Sequence, residues 1–394
     1  MRTVEQHAVV IADLLQSTPV EATTLTAAPG LVLGTDLLAP LDLPPFANSA
    51  MDGYAVRAAD VRSVPVILPV SQDIPAGRTD VAPLESGTAA RIMTGAPLPP
   101  GAEVIVQVER TDGGADRVRI DSAPGPGVHI RTVGEDVRRG DVVLPAGTVI
   151  GAPQIGVAAA LGYDRLPLRR PMRVLVMSTG TELVAPGSPL EPGQIYESNA
   201  PMLAAALAAI RADAGIEHFV ADDVDALRAG LDRAATGVDL IITTGGVSAG
   251  AYEVVKDALT GRGVEFAKVA MQPGMPQGAG RYRGVPMVTL PGNPVSSYVS
   301  FEVFLRPAIR AAMGHPDVTR PTVRAPLSAP LDSPAGKRQF RRGHVNTVEG
   351  TVAAWGGPGS HLLAWLAGAD SMLVIPEDVT HLDPGDEVEV WLLG

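Results

Sequence analysis

Leu240-Ile-Ile-Thr-Thr-Gly-Gly-Val-Ser248 is a short apolar run closing in a paired-glycine turn, and Tyr252 to Leu259 behind it reads as a helix. The same order recurs on either side. Val174-Leu-Val-Met177 runs into Ser178-Thr-Gly-Thr-Glu182, ahead of an Ala/Leu-rich helix from Pro201 to Ala212 with Ser198 and Asn199 placed to cap it. Pro286-Met-Val-Thr-Leu290 runs into Pro291-Gly-Asn-Pro-Val-Ser296 and a helix to about Ala312. Ile216 to Val220 adds a strand, and Asp222 and Asp223 precede a helix over Val224 to Ala235, where acidic side chains suit the N-terminal end. Continuous apolar runs of this length fit strands buried on both faces. Strand, glycine turn and helix in repeated order predict a doubly wound parallel α/β unit.

Outward from this unit the pattern changes. Val4 to Leu15 reads as an amphipathic helix, and Pro19 to Pro45 is broken by Pro29, Gly30, Gly34 and Pro40, which favours extended chain. Residues 46–137 show short strand-like pieces (Val64-Pro-Val-Ile-Leu68, Ala89-Ala-Arg-Ile-Met93, Val104-Ile-Val-Gln-Val108) separated by Gly, Pro and Asp turns, the signature of a small β-rich unit. Val142-Val-Leu144 reads as a strand and Pro153 to Leu161 as a helix. From His315 on, Met372-Leu-Val-Ile375 and Val388-Glu-Val-Trp-Leu-Leu393 point to a small β-barrel or sandwich. The 394 residues exceed what one core organises, so two to four domains are expected.

Composition narrows the chemistry. The absence of cysteine excludes disulfides, thiolate metal sites and a cysteine nucleophile. A net charge of −12 has the wrong sign for electrostatic binding of nucleic acid. Met1 to Gln16 lacks a signal-peptide pattern, and no run of about 18 apolar residues occurs, so a cytoplasmic protein without a membrane span is expected.

In an open parallel sheet the turns at the strand C-terminal ends converge on one crevice. Gly245 and Gly246 let the backbone approach a ligand without Cβ interference, the helix start behind them attracts anions, and Ser248 and Ser296 add hydroxyl donors. Each turn alone is as well explained as a tight connection. Together they favour a phosphate- or oxyanion-bearing ligand. Glu182, Asp222 and Glu253 stand beside these turns, with Asp52 and Asp136 elsewhere in the chain. Carboxylates next to an anion site point to a bridging Mg²⁺, which takes one or two carboxylates plus ligand oxygens. The plainer reading of each is a solvated acidic surface, and of Asp222 a helix-start residue. Asn48-Ser-Ala-Met-Asp-Gly-Tyr-Ala55 follows two prolines and a Phe and either presents Asp52 or forms a tight turn at Asp52–Gly53.

Asn48 to Ala55, Arg91-Ile-Met-Thr-Gly-Ala-Pro-Leu-Pro99, Gly134-Glu-Asp-Val137, Thr244-Gly-Gly-Val-Ser248, Leu290-Pro-Gly-Asn-Pro-Val-Ser296 and Gly359-Ser-His-Leu-Leu363 together resemble the molybdopterin molybdenumtransferases, the family that includes the C-terminal domain of gephyrin. The resemblance runs in order from about residue 5 to the end. It implies a linker-like N-terminal domain (1–45 and 138–169), an inserted β-rich domain (46–137), an α/β molybdopterin-binding domain (170–314) and a C-terminal β-barrel (315–394). It also implies a homodimer whose clefts combine the α/β domain of one subunit with the inserted domain of the other, and a molybdopterin adenylyltransferase as a further partner. The implied substrates are molybdate and adenylylated molybdopterin, with Mg²⁺-assisted release of AMP.

By the same resemblance Asp52, Asp136, Glu182 and Asp222 are catalytic, and Glu182, Asp222 and Asp52 are the metal ligands. Thr94 and Arg131 are polar contacts in the cleft. Gly245 and Gly246 with Ser248 hold the pterin-nucleotide end, Glu253 is a further cofactor contact, and Pro291, Gly292, Asn293, Pro294, Ser296, Arg341 and Ser360 lie around the molybdate end. The chain departs from the family where Lys-Pro-Gly-Lys-Pro is common, reading Gln272-Pro-Gly-Met-Pro276, and Thr181 stands where Asp is usual. Lys337, Arg341 and Arg342 are the candidates to supply the missing charge. Two other readings compete: a pterin-nucleotide carrier with little turnover, favoured by Gln272 and Met275, and a nucleotide hydrolase built on the α/β domain alone, against which the segment Asn48 to Ala55 and the C-terminal β unit argue.

Overall fold

The computed structural model describes residues 1–219, 224–245 and 254–394. Its centre is a six-stranded sheet in the order Asp213–Phe219, Arg173–Thr179, Leu240–Thr244, Val285–Leu290, Pro276–Tyr282, Val264–Lys268. The first four strands are parallel, as the apolar runs predict. Pro276–Tyr282 runs against them, so the sheet is mixed rather than wholly parallel. It joins Val285–Leu290 through a two-residue turn, Arg283 and Gly284, both at positive φ, the twist-matched form for a hairpin.

Alternate residues of these strands face opposite sides. Val174, Val176, Leu240, Ile242, Val288 and Leu290 pack with Leu203 and Leu207 of the helix Asn199–Ala209. Met177, Ile241 and Met287 pack with Leu227, Leu231, Val255 and Leu259 from the helices Val224–Ala234 and Val254–Leu259. Each fully buried Leu, Ile, Val or Met contributes about 1.5–3 kcal/mol, so helices on both faces fix the doubly wound arrangement. The helix Asn199–Ala209 ends earlier than its sequence pattern, because Arg211 at φ 66 turns the chain into the strand Asp213–Phe219.

Val20–Thr24 pairs with Arg165–Arg169, and Leu37–Leu38 with Val142–Leu144. Residues up to Leu38 and from Val142 to Arg169 thus share one ladder set and one apolar cluster, which makes the stretch between them an insertion. That insertion folds as a sheet ordered Val104–Gln107, Gly53–Val56, Ala89–Ile92, Val66–Ile74, Arg117–Ile120, with a core on each face. In the C-terminal part, Arg338–Asn346, Ser371–Ile375, Glu387–Leu392 and Thr322–Pro326 pair in series, and Thr351–Ala354 pairs with the first. A bridge from Leu327 to Val352 joins the two ends into a ring around Leu373, Ile375, Val388 and Val390, which decides for a barrel over a sandwich. Among the described residues no helix is long and apolar enough to cross a membrane.

The first helix, Val4–Leu14, starts in a Thr3/Gln6 capping box and docks on the α/β core through Val4, His7 and Ile11. His7 is fully buried with its ring edge-on to Phe304 at 4.9 Å. Burial, and then the Arg2 charge, push His7 down from 6.5 to about 4, and burial with Arg310 and Arg306 does the same for His315. A folded value below the unfolded one means stability is complete above pH 6.5 and is lost as pH falls toward 4. For His7 the loss amounts to about 3 kcal/mol at most. Calorimetric melting at about pH 7.5 and about pH 5 should therefore show a clear drop in Tm that His7→Gln reduces; an equal drop in both proteins contradicts the assignment.

Candidate functional site

The residues that directly follow Thr179, Thr244 and Leu290 meet at the carboxyl edge of the parallel strands, and glycine is needed at the second of these turns. Gly245 has φ 91, and a Cβ there would lie 2.7 Å from the Thr179 carbonyl oxygen. A Cβ on Gly292 would meet the Cα of Gly245 at 3.4 Å. Gly245→Ala combines a close contact with a left-handed backbone and should cost about 1–3 kcal/mol. An unchanged urea midpoint in that variant contradicts the tight convergence.

Above these turns opens a cleft of about 1530 Å³, larger than a typical small-ligand pocket and roomy enough for a nucleotide-sized molecule. Its walls are Thr179 to Leu183, Ile195 to Asn199, Thr244 and Gly245, Met271 to Pro276, Pro291 to Pro294 and Ser296, closed on the far side by Lys337 and by Pro358 to His361 of the C-terminal part. Glu182 is exposed at the cleft and folds back over Gly180, where a Cβ would stand 2.6 Å from its Oε2. Glu197 is 5% exposed and its Oε1 accepts the Ala200 backbone N–H at 2.9 Å. The carboxylate at this helix start is therefore Glu197, whereas Ser198 makes no side-chain cap bond. Asn199 donates through Nδ2 to the Gly292 carbonyl at 2.7 Å, and its buried Oδ1 has no partner among the described residues. Asn293 donates to Ser360 Oγ at 2.8 Å and the Val295 N–H donates to the Ser360 carbonyl at 3.0 Å, latching the C-terminal loop onto the third turn.

Of the residues singled out in the sequence, Glu182, Gly245, Pro291, Gly292, Asn293, Pro294, Ser296 and Ser360 line this one cleft. Asp222, Gly246, Ser248 and Glu253 lie outside the described residues. Asp52 and Thr94 meet in the inserted unit: Asp52 Oδ1 accepts the Thr94 N–H at 2.6 Å and its hydroxyl at 2.8 Å. The backbone bond first and the hydroxyl second hold the Asp52 carboxyl below the usual carboxylate range. Arg131 is exposed in the same unit on the short strand that pairs with Asn48 and Ser49, and Asp136 is exposed where the chain returns, its N–H donating to Leu43. No described residue between 46 and 137 lines the cleft of its own chain. Arg341 does not line it either. Its guanidinium donates to the Gly356 carbonyl at 3.1 Å, while Arg342 donates to the carbonyls of Gly357 and Gly359, so both brace the loop that carries Ser360. Among the described residues no group of three or more His, Asp or Glu is close enough to hold a metal without a ligand's help.

Molybdopterin molybdenumtransferase 2 of Mycobacterium tuberculosis is 55% identical to this chain over 402 residues, with 99% of each chain covered. The chain belongs to the molybdopterin molybdenumtransferase family. Residues 2–162 match the family described as MoeA N-terminal region (domain I and II), 175–311 the probable molybdopterin binding domain, and 324–393 the MoeA C-terminal region (domain IV). Molybdopterin molybdenumtransferase 1 of the same organism is 36% identical over 428 residues, covering 100% of this chain and 99% of its own. The crystal structure of the molybdopterin biosynthesis MoeA protein from Pyrococcus horikoshii superposes with a TM-score of 0.84 at 30% identity, covering 99% of this chain and 98% of that one.

Two cleft residues of this molybdenumtransferase-family enzyme escape a reading of motifs, Glu197 and Asn199 as a brace, while Lys337 stands out in the sequence only as one of three cations. An acidic residue directly ahead of a helix signals Glu197. What singles Lys337 out from Arg341 and Arg342 is its place at the cleft, which depends on a strand pairing between distant segments.

Proposed function

We propose that this protein inserts molybdenum into adenylylated molybdopterin with Mg²⁺-assisted release of AMP, giving molybdenum cofactor. The observation that carries the reading is the convergence of glycine turns from three parallel strands on the floor of a nucleotide-sized cleft with Glu182 at its edge. Backbone that approaches a ligand closely suits phosphate oxygens, and the names of the relatives supply the substrate class. The proposed subunit divides into 1–45 with 138–169, 46–137, 170–314 and 315–394. Gly245, Gly246, Ser248 and Glu253 take the pterin-nucleotide end, and Pro291 to Ser296 with Ser360 the molybdate end. Arg341 holds the loop behind Ser360.

The donor set fits Mg²⁺. It offers hard carboxylate oxygens in small number and, among the described residues, no His-rich cluster. Glu182, Asp222 and Asp52 would hold the cation, which when bound neutralises charge on the phosphoanhydride oxygens. Asp52, whose Oδ1 already accepts two bonds from Thr94, offers Oδ2. Because Asp52, Thr94, Arg131 and Asp136 stand away from their own chain's cleft, we place them in the cleft of a second copy, which makes the active unit a homodimer.

Mixing tests both reaction and architecture. Asp52→Asn and Glu182→Gln chains are each expected to be nearly inactive. Refolded together in equal amounts, they should recover about a quarter of normal molybdate-dependent AMP release, since half the dimers regain one intact site of two. No recovery despite verified subunit exchange contradicts the shared cleft. The carrier reading retains one supporting observation, that the uncharged Gln272 and Met275 line the cleft. It predicts nucleotide binding without turnover in the unsubstituted protein.

A further inference from the structure

On the transferase reading the cleft holds an anion, yet Gln272 and Met275 bring no charge to it and Glu182 and Glu197 bring negative charge. Among its described lining residues Lys337 is the one lysine or arginine. Its position follows from a short parallel ladder that stitches the α/β part to the barrel: Met271 pairs with Arg338 and Gln272 with Gln339, and the Arg338 N–H donates to the Ala270 carbonyl at 2.9 Å. Lys337, one residue before this ladder, is thereby set beside the segment that carries Gln272 and Met275.

The neighbouring cations are committed elsewhere. Arg338 is paired with Glu377 at 3.1 Å and with Glu5. Arg341 and Arg342 brace carbonyls of the 356–359 loop. Lys337 is half-buried and, among the described residues, makes no hydrogen bond or ion pair. A half-buried ammonium with three donors and no acceptor is a point charge available to a ligand.

We propose that Lys337 holds the molybdate oxyanion in this protein, beside the uncharged Gln272 and Met275. The inference rests on the transferase reading above and concerns the tetrahedral dianion end of that cleft. The ammonium donates to molybdate oxygens, while Asn293 and Ser360 keep the adjoining loop in place through their mutual bond.

The test compares the full-length protein with Lys337→Gln, Lys337→Arg and Lys337→Gln/Met275→Lys. Molybdate is titrated in the AMP-release assay, and molybdate alone is titrated by calorimetry. Lys337→Gln should raise the half-saturating molybdate about tenfold or more, the loss of one charge-assisted contact. Its affinity for adenylylated molybdopterin and its Tm should stay unchanged. Lys337→Arg should retain most of the affinity, and the added lysine at 275 should restore it. Normal molybdate dependence in Lys337→Gln overturns the role of Lys337 and leaves the transferase reading intact. If the unsubstituted protein neither binds molybdate nor releases AMP in response to it, both fall.

Discussion

Replacing Glu182 by Gln is expected to lower molybdate-dependent AMP release roughly a hundredfold or more, with little change in Tm. The side chain is exposed, so its amide isostere leaves no cavity and no buried unpaired group. What disappears is a negative oxygen donor folded over the Gly180 backbone at the edge of the cleft. A carboxylate that orients a cation against a phosphoanhydride acts where charge develops, and groups in that position are typically worth about 10²–10³ in rate. Glu191→Gln supplies the control, since Glu191 is an exposed carboxylate on the same connection outside the cleft lining. Steady-state AMP release for both variants checks the claim. A Glu182→Gln rate within about threefold of normal removes Glu182 from the chemistry.

The largest effect on stability is expected at Glu302. It lies in the π-helical turn Phe301–Leu305 with 1% side-chain exposure. Arg320 grips it with two parallel bonds, Nε to Oε2 at 2.9 Å and Nη2 to Oε1 at 2.8 Å, and Arg306 approaches to 3.8 Å. Burial, followed by the Glu302 charge, pushes the neighbouring Tyr298 hydroxyl up to about 12, which keeps it a neutral donor. Glu302→Ala would leave two poorly solvated guanidinium groups without a counter-charge, at a cost of about 3–5 kcal/mol. Urea unfolding of Glu302→Ala and of Glu302→Ala/Arg320→Met measures it. The double variant should recover a large part of the loss, because the penalty comes from the stranded charge rather than from the pair's own attraction. A single-variant loss under about 1 kcal/mol contradicts a buried, charge-balancing role for Glu302.

The parallel half of the sheet is legible because Val174 to Met177, Leu240 to Ile242 and Pro286 to Leu290 must bury both faces and so carry unbroken apolar runs. The strand Pro276–Tyr282 is not, since its middle reads Gln-Gly-Ala-Gly. Those glycines serve packing: a Cβ on Gly278 would fall 2.1 Å from Thr289 Oγ1, and one on Gly280 2.0 Å from the Gly263 carbonyl oxygen. The barrel's closure rests on one bridge, Leu327 to Val352, which no periodicity announces.

In the site, glycine turns and Glu182 are visible because their spacing from a strand end fixes their position. Asp52 and Thr94 meet across 42 residues, and that bond cannot be read from either motif alone. Charge is the hardest part to place. Lys337, Arg338, Arg341 and Arg342 are interchangeable as letters, and their roles separate only once the barrel strand and the 356–361 loop show which guanidinium groups already have carbonyls or carboxylates to serve.

The most direct measurement adds molybdate over several decades to the purified, unsubstituted protein with adenylylated molybdopterin and Mg²⁺, following AMP release and active molybdenum cofactor together. Both should rise in step with molybdate and saturate, with half-saturation in the micromolar range if Lys337 holds the oxyanion, on the order of −8 kcal/mol of binding. Nucleotide bound tightly, with no molybdate-dependent AMP and no cofactor even at about 1 mM molybdate, where a site of about −4 kcal/mol is half full, contradicts the transferase reading and leaves a carrier.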